Sequence, residues 1–134
     1  MLIVARIAFG LFFLGSAVLK FTAASYEMDM MRAAGFANPL ALYVVAAMAQ
    51  AIAGLALLFG RMVVWACLGL IAYVAIVNYF LHAFWLLEGE MASIQFQLFT
   101  KNLGIMAGLL AIAGASGLNK NTADDPVVGF ETKD

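Results

Sequence analysis

Apolar residues fill four long stretches of this chain, and its few charged and amide side chains fall mostly at their edges. The first, Leu2 to Leu19 ("LIVARIAFGLFFLGSAVL"), holds one charge, Arg6, close enough to the start for its long side chain to snorkel to headgroup level, and it stops at Lys20. The second covers residues 40–60 after Asn38-Pro39, where Asn caps a helix and Pro fits the first position because no intrahelical partner exists for that N–H. Only Arg61 separates it from the third, residues 62–87, so these two are expected to form a tight helical hairpin. The fourth covers residues 97–117. A crossing needs about 20 apolar residues, so the pattern predicts an all-α bundle of four transmembrane helices with antiparallel neighbours and both termini on one side. Residues 1–117 make up this domain, and residues 118–134, which include "NKNTADDPVVGFETKD", are expected to form a polar, flexible tail without helical periodicity. Between the first two spans, "YEMDMMR" (Tyr26 to Arg32) suits a short interfacial helix with its methionines toward the headgroups. Because Arg6 follows an apolar start rather than forming a basic leader, the first span is expected to remain rather than be removed as a secretory signal.

Composition supports the membrane reading. The chain is 66% hydrophobic and 11% charged, against the roughly 45–50% apolar share of a soluble domain. Its formal net charge of -1 provides no basic field for nucleic acid. Cys67 is the single cysteine, so the chain has no intramolecular disulfide and no dithiol relay of its own, and Cys67 is read as a packing residue. With Arg6, Arg61, Lys120 and the terminal amine on the side of the termini, the small basic excess places both termini in the cytoplasm.

The topology also collects chemistry that the linear sequence scatters. One membrane face gathers Lys20, Asn78, His82, Glu88, Glu90, Gln95, Lys101 and Asn102. Asn78, His82 and Trp85 follow the three-to-four spacing of a shared helical surface, and Gln95, Leu98 and Asn102 form a second stripe with Lys101 beside it. Each also has a plainer reading. His82 beside Phe84 and Trp85 suits an aromatic belt at the interface, and Lys20 suits a helix anchor. Glu88 and Glu90 suit a water-facing loop, and Gln50 suits a helix-to-helix hydrogen bond worth about 1 kcal/mol in lipid. One imidazole and one thiol do not complete a bis-histidine haem or a zinc site, so no metal centre is expected. Ala46, Ala49, Ala53 and Ala56 in the second span, and Gly104 with Gly108 in the fourth, are small residues expected to let helices approach closely.

"RIAFGLFFLGSAVLKF", "AAGFANP", "QAIAGLALLFG", "HAFW" and "KNLGIMAGLLAI", in this order and spacing, resemble the DoxX family of small four-helix membrane proteins over about Arg6 to Ile112. The resemblance implies a multi-pass protein of a bacterial inner membrane with cytoplasmic termini. It carries over Lys20, His82, Trp85, Lys101 and Asn102 as family positions. Gln50 stands where many members have a glutamate, and an amide does not ionise or pass protons by itself. Members are often associated with quinone-linked oxidoreductases. The implied role is a quinone-associated redox accessory of a membrane oxidoreductase complex. Lys20, Gln50, Asn78, His82, Trp85, Lys101 and Asn102 are its candidate ligand residues, quinone its cofactor, and membrane lipids and other integral subunits its partners. The alternatives are a non-catalytic structural subunit of a larger respiratory or photosynthetic membrane complex and, less favoured because ionisable groups are scarce near the midplane, a small carrier. The chain is not expected to catalyse a redox reaction alone.

Overall fold

The computed structural model describes residues 1–20, 22 and 24–123, with side chains for all of these except Tyr26 and residues 118–123. Its helices run in the order α1 (Leu2–Lys20), α2 (Ala24–Ala33), α3 (Pro39–Phe59), α4 (Val63–Leu81) and α5 (Gly89–Ala123), with a 3₁₀ turn at Phe84–Leu86 between the last two. Four segments, Leu2–Lys20, Pro39–Phe59, Val63–Leu86 and Gly89–Gly117, are long and apolar enough to cross a membrane. Trp65, Ile52 and Phe59 lie exposed on the bundle's outer surface, the arrangement expected where lipid rather than water is the solvent.

Local chemistry explains the helix ends. Asn38 Oδ1 accepts from the Ala41 N–H at 3.2 Å, and Pro39 takes the first helical position of α3. At the other end Gly60 adopts φ +69°, and the Gly60 and Arg61 N–H groups return to Leu57 O and Ala56 O, which satisfies carbonyls the helix leaves open. Met62 also lies in the left-handed region, at φ +50°, and α4 starts at the next residue. The expected hairpin is therefore present, with Gly60, Arg61 and Met62 as its turn.

α1 and α3 pack tightly in antiparallel register. At their crossing a Cβ on Gly54 would meet Gly10 O and Leu14 Cγ, each at 3.0 Å, and one on Gly10 would meet Leu58 Cγ at 2.9 Å. Backbone touches backbone there, and only glycine permits it. Above the crossing Ser16 faces Gln50, and Lys20 faces Tyr43; below it the Arg6 guanidinium covers Gly60. α4 packs along α5, and α3 meets α4 near their turn. The dry core lies toward the turn end, where Phe13, Leu57, Cys67, Leu70, Leu109 and Ile112 bury one another. α1 meets α5 more lightly, with the Phe9 ring seated on Gly108.

Several expectations shift in detail. α4 stops at Leu81 instead of continuing to 87, because the chain must begin its reversal there: His82 caps the helix, the 3₁₀ turn follows, and Gly89 turns at φ +63°. α5 begins at Gly89 rather than at 97, since Gln95 finds a side-chain partner in His82 and the extra turns need no lipid. It continues to Ala123, so the expected tail boundary at 118 falls inside a helix, while residues 124–134 lie outside the described residues. The segment between the first two spans is helical, but Met31 is buried and Met30 lines an internal cavity rather than facing headgroups. Gly10 and Gly54, not the alanine series, make the closest approach, and Gly104 has open space where a Cβ would stand.

Gly54→Val is expected to push α1 off α3 and cost about 1–3 kcal/mol, whereas Gly104→Ala leaves stability unchanged or slightly raised. Denaturation of both variants in mild detergent, followed by circular dichroism, checks the contrast.

Candidate functional site

α3 and α4 are tied together at their turn and separate away from it. The opening between them leads into a cavity of about 680 Å³ in the half of the bundle opposite the dry core. Its walls are largely apolar, and α2 and Phe36 close the outer end, where the Phe36 ring meets Phe80 edge-on at 5.2 Å. Val45 and Ala49 on α3, and Ile76 and Phe80 on α4, line the cavity while remaining exposed on the outside of the bundle. The cavity is therefore a slot reached sideways from the lipid phase.

The polar groups of the slot come from different helices. Lys20, 6% exposed, pairs with Glu27 of α2, and its ammonium lies 5.0 Å from the centroid of the Tyr43 ring. The Tyr43 hydroxyl in turn donates to the Lys20 carbonyl, one of the last carbonyls of α1 and without an intrahelical partner. A buried charge is tolerable when paired in this way, and the pairing fastens α2 across the end of the slot. One turn deeper, Gln50 is 3% exposed; its Nε2 donates to Ser16 Oγ at 3.4 Å, and its Oε1 is buried without a hydrogen-bond partner. Leaving such an acceptor unmet costs about 1–3 kcal/mol.

On the opposite wall the polar groups join α4 to α5. Asn78 Nδ2 donates to Phe99 O at 3.1 Å, and its Oδ1 accepts from Asn102 Nδ2 at 2.8 Å. His82 Nδ1 lies 2.7 Å from Gln95 Oε1, which makes Nδ1 the donor in the neutral ring and leaves Nε2 as an acceptor. Lys101 is exposed at the rim and, among the described residues, forms no ion pair.

Of the residues singled out from sequence, Lys20, Gln50, His82, Lys101 and Asn102 all line the slot. Asn78 and Trp85 do not. Asn78 is spent on the α4–α5 junction, and because α4 ends before it, Trp85 leaves the helical face it was expected to share with Asn78 and His82. It is 49% exposed and packs edge-on against Phe84, with ring centroids 5.3 Å apart. Glu88 and Glu90 are both exposed, as expected, but Glu90 stands in the first turn of α5 rather than in a loop. Among the described residues no group of three His, Cys, Asp or Glu side chains is arranged to hold a metal ion.

Sequence reading missed Ser16, Tyr43 and Tyr73, the first and last of which line the slot. A signal existed for the first two. Ser16 stands one turn before Lys20, and Tyr43, Ala47, Gln50, Gly54 and Leu57 make a buried stripe at helical spacing down α3.

Asn78→Ala removes two interhelical hydrogen bonds and is expected to cost about 1–2 kcal/mol in detergent. Lys20→Met strands Glu27 and loosens α2, so trypsin should cut after Arg32 several-fold faster in nanodiscs while the helical content stays the same.

No curated protein and no solved structure matches the chain. A family model described as DoxX matches residues 1–83, from the start of α1 through the cap of α4. Lys20, Gln50 and His82 lie within the match, and Lys101 and Asn102 lie beyond it. The match covers more than half of the chain, whose described residues form helices with four segments of membrane-spanning length, and the protein belongs to the DoxX family.

Proposed function

We propose that the protein is a quinone-associated accessory component of a membrane oxidoreductase complex, seated in a bacterial inner membrane with both termini in the cytoplasm. The observation that carries this reading is the slot. Its volume of about 680 Å³ falls within the roughly 300–1,000 Å³ of small-molecule sites. It opens toward lipid, its walls are apolar, and its polar groups come from helices on both sides. A ring bearing two oxygens and carrying an isoprenoid tail matches that layout: the tail leaves between α3 and α4, and the ring sits between Gln50 and the His82–Lys101 rim. Lys101 supplies a donor to an oxygen at the rim, and Asn102 holds the wall in place through Asn78.

The chain itself offers one imidazole and one thiol, with Cys67 deep in the dry core and His82 at the far end of α4. Flavin, haem or thiol chemistry therefore belongs to another subunit, with this chain holding the lipid-soluble carrier. A second reading, a structural subunit that binds neighbouring spans, draws on Gly104, Ala107, Ala111 and Gly114, an exposed row of small residues on α5 suited to close helix approach.

Gentle-detergent purification followed by mass spectrometry of extracted lipids and co-eluting chains tests the choice. Wild type is expected to retain quinone in near-stoichiometric amount, with His82→Ala and Lys101→Ala retaining several-fold less. Partner chains that co-elute unchanged in all three, with no quinone in any, would establish the structural reading instead.

A further inference from the structure

Two residues that line the slot, Gln50 and His82, each keep a hydrogen-bond acceptor without a partner among the described residues. Gln50 Oε1 is buried and has no partner, and Gln50 lines the cavity. His82 also lines it, and with Nδ1 engaged by Gln95 its neutral ring has only Nε2, an acceptor, left for a ligand. The other polar groups do not reverse this balance. The Lys20 ammonium is committed to Glu27 and the face of Tyr43. Ser16 and Tyr73 carry hydroxyls, which donate or accept equally well. The Asn102 amide donates to Asn78. Lys101 is a donor at the exposed rim, where it can reach one ligand oxygen but leaves the acceptors of Gln50 and His82 unmet.

A carbonyl oxygen placed against an acceptor gains nothing and suffers lone-pair repulsion, whereas a hydroxyl placed there makes the missing bond. We infer that the slot binds its ligand in the hydroxyl-bearing form, a quinol or related phenolic amphiphile, with Gln50 Oε1 and His82 Nε2 accepting from ring hydroxyls, in preference to the oxidised quinone. This rests on the reading of the slot as a quinone-class site and adds to it which redox form is held. Placement supports two acceptors acting on one ring. Gln50 on α3 and His82 at the end of α4 line the same cavity from different helices.

The test uses the full chain in lipid nanodiscs under anaerobic conditions. A decyl-substituted benzoquinone and its dithionite-reduced quinol are each titrated by equilibrium dialysis, with empty nanodiscs correcting for partition into lipid. Wild type is expected to bind the quinol at least about tenfold more tightly than the quinone, the factor that one net hydrogen bond supplies. Gln50→Leu and His82→Phe should each lower quinol affinity more than quinone affinity, with circular dichroism showing unchanged helix content. The wild-type ratio decides the matter even where a variant does not fold. Equal affinities, or tighter quinone binding, would overturn the preference while leaving a quinone-class site in place; the Gln50 amide would then be turned over, with Nε2 toward the ligand. Binding of neither form above the empty nanodiscs would overturn the quinone-class reading and the preference with it.

Discussion

The contact between Gly10 and Gly54 sets the geometry of the molecule. Two helix backbones touch there without a side chain between them, with the would-be Cβ of each glycine 3.0 Å from the carbonyl oxygen of the other. Lipid tails are as apolar as the helices they surround, so helices in a bilayer gain little from hiding apolar surface from one another and associate through close packing and hydrogen bonds. The crossing supplies the first and aligns the second. With Gly10 opposite Gly54, the antiparallel register brings Ser16 to Gln50 and Lys20 to Tyr43 in one direction, and Arg6 to Gly60 in the other.

That register divides the bundle into two unlike halves. Toward the Gly60–Met62 turn, α3 and α4 are held close, and Leu57, Cys67, Leu70 and Leu109 bury one another. Toward the other end the helices separate, and no large side chain fills the gap between α1, α3 and α4. The polar side chains lie around that gap because each has a partner only there. Lys20 has Glu27 on α2, Asn78 has Asn102 and the Phe99 carbonyl on α5, and His82 has Gln95. An unpaired polar group in hydrocarbon is costly, so these pairings are conditions for keeping the slot open as much as candidate ligand contacts. Gln50 is the exception, since half of its amide is left unmet inside the protein.

The family adds a frame to this picture without supplying the chemistry. Membership in the DoxX family and four spanning helices place the chain in a membrane. The slot and its acceptor-rich lining come from the particular side chains present. An ionisable glutamate at position 50 would bring a charge to the floor of the slot; the amide found there keeps the floor neutral and makes it a hydrogen-bonding surface only.

The four spans and the Asn38 cap were legible in the sequence, as was the hairpin at Arg61, because each depends on local composition: long apolar runs, a capping amide before a proline, and a single charge between two runs. The gathering of Lys20, His82, Lys101 and Asn102 at one end followed from counting crossings. What sequence did not reveal was which of these groups face one another. Trp85 has helical spacing from Asn78 and His82 but lies past the end of α4, and the apolar pattern is the same for a continuing helix as for a helix followed by a 3₁₀ turn. Asn78 and Asn102, twenty-four residues apart, bond to each other, and Gln50 meets Ser16 across thirty-four. The chain alone determined the number of its spanning helices and where their apolar runs lie, since crossing a bilayer is a demand on each segment separately. Tertiary structure decided the register at Gly10 and Gly54, and with it the slot and the unpartnered oxygen of Gln50, because these depend on how backbones meet rather than on how apolar each one is.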